Sequence, residues 1–216
     1  YKGFERTAVL PEDPELTHTD PGTPMGDLMR RFWQPVCLSV ELTDVPRAIR
    51  ILGEDLVAFR CGDGSIGLVG ARCPHRCTSL EYGQVREHGL QCSYHGWMFD
   101  NRGHCIDMPL EPIDTPLRDE IQHIWYPAEE WAGIVWCYMG ADKTDPPALP
   151  RIDIMARSDG ELVLSRGDFR DYSYLNFLEN FADIGHSYVL HLLAPGTVPE
   201  ELKPYCDMTV DTDWRH

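Results

Sequence analysis

The sequence contains no run of apolar residues long enough to cross a membrane. Residues 1–6 also lack the apolar core of a secretory signal peptide. The chain shows no internal repeat and no low-complexity segment. These absences lead us to expect a globular protein without a membrane span, located in the cytoplasm.

Basic residues are scarce, since 19 lysines and arginines stand against 35 aspartates and glutamates, for a formal net charge of −16. Binding to nucleic-acid phosphates calls for basic patches, so this balance argues against a nucleic-acid partner. An acidic surface also suits docking to a positively charged redox partner. Charge bears on solubility and association rates rather than on fold, so it leaves the fold class open.

Two short segments each place a cysteine close to a histidine: Cys73 with His75, and Cys92 with His95. The pattern is C-x-H, a spacer of 16 residues, then C-x-x-H. Zinc accepts two cysteines and two histidines, but its usual fingers pair cysteine with cysteine and histidine with histidine. A mixed pair on each segment suits a Rieske [2Fe–2S] centre, where two cysteines hold one iron and two histidines hold the other. Four unrelated surface residues are the third interpretation.

The wider segments 74–76, 79–83 and 94–97 read Pro-His-Arg, Ser-Leu-Glu-Tyr-Gly and Tyr-His-Gly-Trp. Together they resemble the Rieske domain of oxygenase α subunits, nearest the phthalate dioxygenase and aromatic O-demethylase branch. The resemblance implies that a [2Fe–2S] cluster is held by four residues, namely Cys73, His75, Cys92 and His95. It also implies a small antiparallel β sandwich that carries two cluster loops.

Eight cysteines could suggest a disulfide framework. Mitochondrial-type Rieske proteins carry a disulfide beside the cluster, but its second cysteine would lie where this chain has Ser93 and Tyr94, so we expect Cys77 to be free. Five others lie mostly in apolar, strand-like contexts and are expected to be buried thiols of a reducing compartment. They are Cys37, Cys61, Cys105, Cys137 and Cys206.

The fold class expected is α+β, with an all-β Rieske domain followed by the beginning of a helix-grip-type catalytic domain. The domains expected are an N-terminal arm and helix over 1–33, the Rieske domain over 34–150 and the incomplete catalytic domain over 151–216. Residues 142–150, with three prolines, mark the clearest boundary.

Local patterns predict individual elements within these domains. A helix is expected over 24–32, with Pro24 in its first turn. Alternating apolar residues predict short strands, including a closing strand at 121–126 and another strand at 161–167. The longest helical pattern spans 171–193, and Pro195 with Gly196 ends it.

That long helical segment contains Asp183, His186 and His191 in the pattern D-x-x-H-x4-H. On a regular α-helix, residues five apart are rotated by roughly 140°, so the two imidazoles would diverge. Both reach one metal only if the helix widens into a π-bulge or breaks between them. We therefore predict an irregularity between the two histidines.

The same segment resembles the mononuclear iron motif of Rieske oxygenases, in which Fe(II) is bound by two histidines and one carboxylate. The resemblance implies that His186 and His191 bind the iron and that Asn180 lies near it in a second layer. It implies that Asp183 bridges His186 to the neighbouring subunit's cluster histidine, here His95.

The carboxylate ligand of this family lies far downstream, and neither Asp207, Asp211 nor Asp213 has the expected separation. We therefore expect the 216 residues to be roughly the N-terminal half of an α subunit.

The resemblance implies the oxygenase component of a Rieske non-haem iron oxygenase. It would use O2, with electrons from an NAD(P)H-dependent reductase delivered directly or through a ferredoxin. The reaction would be hydroxylation, as a dioxygenase or monooxygenase, or O-demethylation of a small aromatic substrate, in a head-to-tail homotrimer. The alternatives are a Rieske ferredoxin-like electron carrier without chemistry of its own, and a zinc-binding structural module.

Overall fold

The computed structural model describes residues 11–165, 167, 170–186 and 189–191. Residues 13–169 form one compact unit, and residues 1–12 with 170–216 form a second. The first unit extends beyond the predicted 34–150 in both directions, and the predicted domain boundaries remain predictions. Within the described residues, no helix combines the length and apolar character that a membrane crossing demands.

The first unit is built from antiparallel strands, as the sequence predicts. In chain order the described strands are β1 (Trp33–Leu38), β2 (Arg47–Ile51), β3 (Glu54–Arg60), β4 (Ile66–Gly70), β5 (Gln84–Arg86), β6 (Gly89–Gln91), β7 (Met98–Phe99), β8 (Cys105–Asp107), β9 (Ala128–Trp131) and β10 (Ile134–Tyr138). They form three sheets, ordered β1-β10-β9, β2-β3-β4 and β5-β6-β7-β8. All neighbouring strands run antiparallel.

The central strand β3 separates two hydrophobic cores. Val57 and Phe59 belong to the core that contains both motif cysteines, Cys73 and Cys92. The alternate residues of β3, Leu56 and Ala58, belong to the second core. Because side chains alternate across a strand, one short apolar run fills both cores. The Cys/His segments are therefore anchored in a fully buried layer.

Helices are short in the described part of the chain. They are α1 (Pro14–Thr17), α2 (Pro24–Met29), α3 (Leu117–Glu120), α4 (Asp153–Ala156), α5 (Tyr174–Ala182) and α6 (Ile184–His186), with 3-10 turns at Ser39–Glu41 and Leu80–Tyr82. The predicted helix 24–32 corresponds to α2, which ends three residues earlier. Its N-cap is Thr23, whose hydroxyl accepts a hydrogen bond from the main-chain N–H of Gly26.

Two predicted strands are absent. Segment 121–126 makes only isolated bridges, between Trp125 and Val69 and between Gln122 and His104. The described residues of 161–167 have no strand conformation. Both segments contain suitable apolar residues, but a strand also needs a neighbouring strand in register, which local sequence does not reveal.

A mostly buried ionic network links the end of α2 to the β2–β3 turn. The guanidinium of Arg30 donates to Glu54 at 2.5 Å and to the carbonyl of Leu52 at 2.6 Å. The hydroxyl of Tyr126 donates to both carboxylate oxygens of Glu54, at 2.7 Å each. Burial is the main cause that raises the pKa of Tyr126, and the hydrogen bond and charge of the neighbouring Glu54 raise it further. Lys143 lies over the Tyr126 ring, 4.1 Å from its centroid.

Replacing Glu54 with alanine is expected to lower the free energy of unfolding by about 3 kcal/mol, because Arg30 would stay buried without its counter-ion. The matched control is Asp55→Ala. Asp55 pairs with Arg50 at 2.7 Å, but both side chains are about two-thirds exposed. We expect the control to cost under about 1 kcal/mol. Urea unfolding of both variants measures the difference, and equal costs would contradict the assignment.

Candidate metal centres

The first Cys/His segment, residues 73–78, is a tight loop that we call the first arm. An antiparallel bridge between Arg72 and Ser79 closes it. The N–H of Cys73 donates to the carbonyl of Thr78 at 2.9 Å, and the N–H of Cys77 donates back to the carbonyl of Cys73 at 2.8 Å. Cys77 has a positive φ of 56°. These bonds fold the backbone around the sulfur of Cys73.

The second Cys/His segment, residues 92–97, is called the second arm and repeats this hydrogen-bond pattern. The pairing of Gln91 with Met98 closes it. The N–H of Cys92 donates to the carbonyl of Trp97 at 2.8 Å, and the N–H of Gly96 donates to the carbonyl of Cys92 at 3.1 Å. Gly96 has a φ of 78° and occupies the place that Cys77 takes in the first arm.

The two arms therefore share the same loop hydrogen bonds, but the histidine lies one position later in the second arm than in the first. His75 is the third residue of its arm and His95 is the fourth of its own. The unequal spacings C-x-H and C-x-x-H thus arise on two loops with matching hydrogen bonds.

The motif cysteines form the inner pair of candidate ligands. Cys73 and Cys92 are 1% and 4% exposed. Burial, augmented by the nearby Cys92, raises the pKa of Cys73 to about 12, while main-chain hydrogen bonds from His75 and Arg76 oppose the shift. A metal bound here would have to displace thiol protons, and its positive charge would supply the stabilisation that solvent does not.

The motif histidines form the outer pair of candidate ligands. The ring centroids of His75 and His95 lie 4.6 Å apart, and both residues are partly exposed. Burial is the main cause that lowers the pKa of His95, and the charge of the nearby His75 lowers it further. The lower pKa favours the neutral imidazole that binds metals. Each arm thus contributes one inner sulfur and one outer imidazole. The donor set fits a cluster whose two irons differ in their protein ligands.

Among the described residues, the remaining cysteines except Cys37 agree with the sequence-based expectation. Cys77 is free and exposed, as predicted. Cys61, Cys105 and Cys137 are free and buried, whereas Cys37 is only partly buried. Burial raises the pKa of Cys105 to about 11, so this thiol stays protonated near neutral pH. The prediction for Cys206 lies outside the described residues.

Replacing Cys77 with glycine is expected to raise the free energy of unfolding by about 0.5 kcal/mol. An L residue in the left-handed region is strained, and relief of that strain exceeds the entropy that glycine adds to the unfolded chain. Gly96 already occupies the equivalent place in the second arm. Cys77→Ala is the matched control, since it removes the thiol but keeps the Cβ. Denaturant unfolding that shows equal stability for the two variants would refute the strain argument.

Aromatic rings cover both histidines, a feature that the motif letters alone do not reveal. Trp97 stacks on His75, with centroids 4.5 Å apart and planes 6° from parallel. Tyr94 contacts His95 at a centroid distance of 3.8 Å. Trp97 is 5% exposed and Tyr94 is 61% exposed. The sequence places both aromatic residues near His95, Tyr94 one position before it and Trp97 two positions after it. Spacing alone does not reveal that Trp97 stacks on His75 instead.

The second candidate site lies in the unit that contains residues 170–216. Ser173 caps α5 by accepting a hydrogen bond from Leu175 N–H at 3.3 Å. The helix ends at Ala182, with Asp183 as its C-cap, and is followed by the single turn α6. Residues 189–191 have π-helical backbone. The predicted departure from α-helical geometry is therefore confirmed, although the predicted continuous helix over 171–193 is broken.

This irregular backbone brings the two histidines together. The ring centroids of His186 and His191 lie 5.3 Å apart with planes at 75°. Nδ1 of His186 is 3.1 Å from the main-chain oxygen of Asp183. When Nδ1 donates there, Nε2 has its lone pair available for a metal. The pair therefore fits part of a two-histidine, one-carboxylate iron site.

Asp183 contacts His186 in a way that the motif does not specify. Its Oδ1 accepts a hydrogen bond from the main-chain N–H of His186 at 3.0 Å, while its carbonyl faces the imidazole. Asn180 lies on α5 and is exposed. No third cysteine, histidine, aspartate or glutamate joins the histidine pair within the described residues. The carboxylates weighed in the sequence analysis, Asp207, Asp211 and Asp213, lie outside the described residues.

Comparison with known proteins identifies the family to which the two arms belong. A model of the Rieske [2Fe–2S] domain matches residues 32–117. The chain is 47% identical over 195 residues to the tert-butanol monooxygenase / tert-amyl alcohol desaturase oxygenase subunit of Aquincola tertiaricarbonis, covering 88% of this chain and 41% of that protein. It is 44% identical to the phenoxybenzoate dioxygenase α subunit of Ectopseudomonas oleovorans, covering 83% and 47% of the two chains.

Solved structures agree with these relatives. The crystal structure of dicamba monooxygenase bound to dicamba matches with a TM-score of 0.66 and 29% identity, covering 75% of this chain and 48% of that one. The chain spans about half the length of the curated relatives it matches. The chain therefore belongs to the Rieske non-haem iron oxygenase α subunits, in the branch with phthalate dioxygenase and O-demethylase oxygenase subunits, and it fits their N-terminal part.

Proposed function

We propose that this chain serves as the oxygenase component of a Rieske non-haem iron oxygenase that hydroxylates or O-demethylates a small aromatic substrate. The observation that carries the proposal is the presence of two Cys/His arms in one unit and a close histidine pair in the other. The arms would hold an electron-storing cluster, and the histidine pair would supply two ligands of an oxygen-activating iron. Both metal centres belong to the family to which the chain is related.

Different side chains would serve the [2Fe–2S] cluster and the mononuclear iron. Cys73 and Cys92, in the buried core, would hold one iron of the cluster, and His75 and His95, at the partly exposed edge, would hold the other. When bound, the cluster supplies one-electron transfer and the mononuclear iron supplies oxygen activation. The buried sulfur pair excludes water, whereas the imidazole edge faces the partner that exchanges electrons.

The partners are part of the same proposal. An NAD(P)H-dependent reductase, directly or through a ferredoxin, delivers the electrons to the cluster. The chains assemble as a head-to-tail homotrimer, a closed ring of heterologous contacts, in which Asp183 links His186 to His95 of the next subunit. A cytoplasmic location is consistent with the free thiols of the described residues.

An electron carrier without its own chemistry is the second candidate, because the unit over residues 13–169 contains both arms by itself.

Metal analysis of the oxygenase distinguishes the two candidate functions. We expect one iron beyond the two of the cluster, and we expect His186→Ala with His191→Ala to remove that iron while leaving the visible spectrum of the cluster unchanged. His104→Ala, at an exposed histidine outside both sites, is the control. Two irons in all three proteins would favour the carrier.

A further inference from the structure

The two cluster histidines are held unequally. The face of His75 is covered by the buried indole of Trp97 in a nearly parallel stack, whereas His95 is covered by the exposed phenol of Tyr94 at a 42° tilt. Within the described residues, no hydrogen bond reaches the ring nitrogens of either histidine. Contacts between ring faces therefore orient the two imidazoles in this chain.

Trp97 is fixed through both its backbone and its side chain. Its main-chain oxygen accepts the hydrogen bond from Cys92 that closes the second arm. Its side chain packs in the core that also contains Leu80 and Phe99. Because the backbone and the side chain are both held, the indole presents a rigid plane. The ring that meets this plane, His75, belongs to the first arm, so the stack joins the two arms.

We propose that Trp97 is a positioning residue that fixes the ring plane of His75 for binding the cluster iron, an inference that rests on the proposed function. The torsion that rotates an imidazole about its Cβ–Cγ bond has a broad energy profile, so a histidine without a ring partner samples many planes. A parallel stack restricts that rotation and adds favourable aromatic contact. Trp97 thereby keeps the His75 nitrogen directed at the iron through reduction and reoxidation.

Two substitutions separate positioning from core packing. Trp97→Phe keeps an aromatic plane beside His75, while Trp97→Met supplies a flexible apolar side chain. Both remove volume from the same core, the methionine variant more than the phenylalanine variant, and thermal unfolding of the metal-free chain measures the packing loss of each. Only the methionine variant removes the flat surface on which the imidazole rests.

Pulsed EPR of the reduced, reconstituted chain measures the nitrogen couplings of the two ligating imidazoles, and repeated dithionite–air cycles measure how fast the cluster is lost. For Trp97→Met we expect one of the two nitrogen couplings to change and cluster loss to be about 5-fold to 10-fold faster. For Trp97→Phe we expect couplings near those of the wild type and loss within about 2-fold of it. The wild-type chain provides the reference for both readouts.

Indistinguishable behaviour of the two variants in both readouts overturns the inference, because core volume alone would then explain the effects. The same holds if neither variant differs from the wild type. A wild-type chain that assembles no [2Fe–2S] spectrum would instead overturn the proposed function, and the inference with it. The two failures are thus told apart by the wild-type spectrum.

Discussion

Replacing His95 with cysteine is expected to lower the reduction potential of the cluster by on the order of 100 mV while the cluster still assembles. A thiolate in place of a neutral imidazole adds one negative charge next to the iron, which stabilises the oxidised state. All-cysteine clusters of the plant type accordingly have potentials near about −400 mV, below the Rieske range. A shift of this size changes a one-electron equilibrium by roughly 50-fold, since about 59 mV corresponds to tenfold.

Spectroscopic redox titration of the reconstituted chain measures this shift. His75→Cys is the matched variant on the other arm and should change the potential in the same direction, because both histidines are assigned to the same iron. His88→Cys is the control, since His88 is exposed, pairs with Asp63 and lies outside both arms. A potential that rises in the His95 variant, or one that falls equally in the His88 variant, would contradict the ligand assignment.

Asp183→Asn is expected to slow electron transfer to the iron site by on the order of 100-fold, with both metals still bound. The amide oxygen of asparagine can still accept the hydrogen bond that Oδ1 of Asp183 receives from the main-chain N–H of His186. The turn at α6 is therefore retained, and the substitution removes mainly the negative charge. That charge is what the proposed bridge between His186 and the next subunit's His95 requires.

The measurement is a single-turnover experiment on the oxygenase with both metal centres filled, in which reoxidation of the reduced cluster is followed after mixing with O2 and substrate. Glu179→Gln is the control, because it removes a carboxylate of the same charge from the exposed face of α5. Normal reoxidation in Asp183→Asn, with full metal content, would exclude the bridging role. A loss of iron would show instead that Asp183 serves the local structure.

The sequence predicted the features that depend on short spacings. The two arms and the all-β character of this part of the chain could be read from residues close together, while the free Cys77 and the antiparallel sandwich followed from the family resemblance of the same segments. The departure from helical geometry near His191 could also be predicted, because five-residue spacing does not fit one face of an α-helix.

Features that join distant residues could not be predicted in this way. Glu54 meets Tyr126 from 72 positions away, and neither residue belongs to a pattern that marks a buried network. The stack of Trp97 on His75 likewise depends on how two loops face each other. The break at Asp183 was missed because apolar periodicity continues across it, while the side chain that caps the next turn competes with the helix.

The decisive measurement is iron, acid-labile sulfide and zinc analysis of the purified chain, combined with EPR after reduction by dithionite. We expect two irons and two sulfides bound by the arms, a red-brown colour and the signal of a reduced Rieske centre, all lost in Cys92→Ala. Colourless protein that carries zinc on the same four ligands would contradict it.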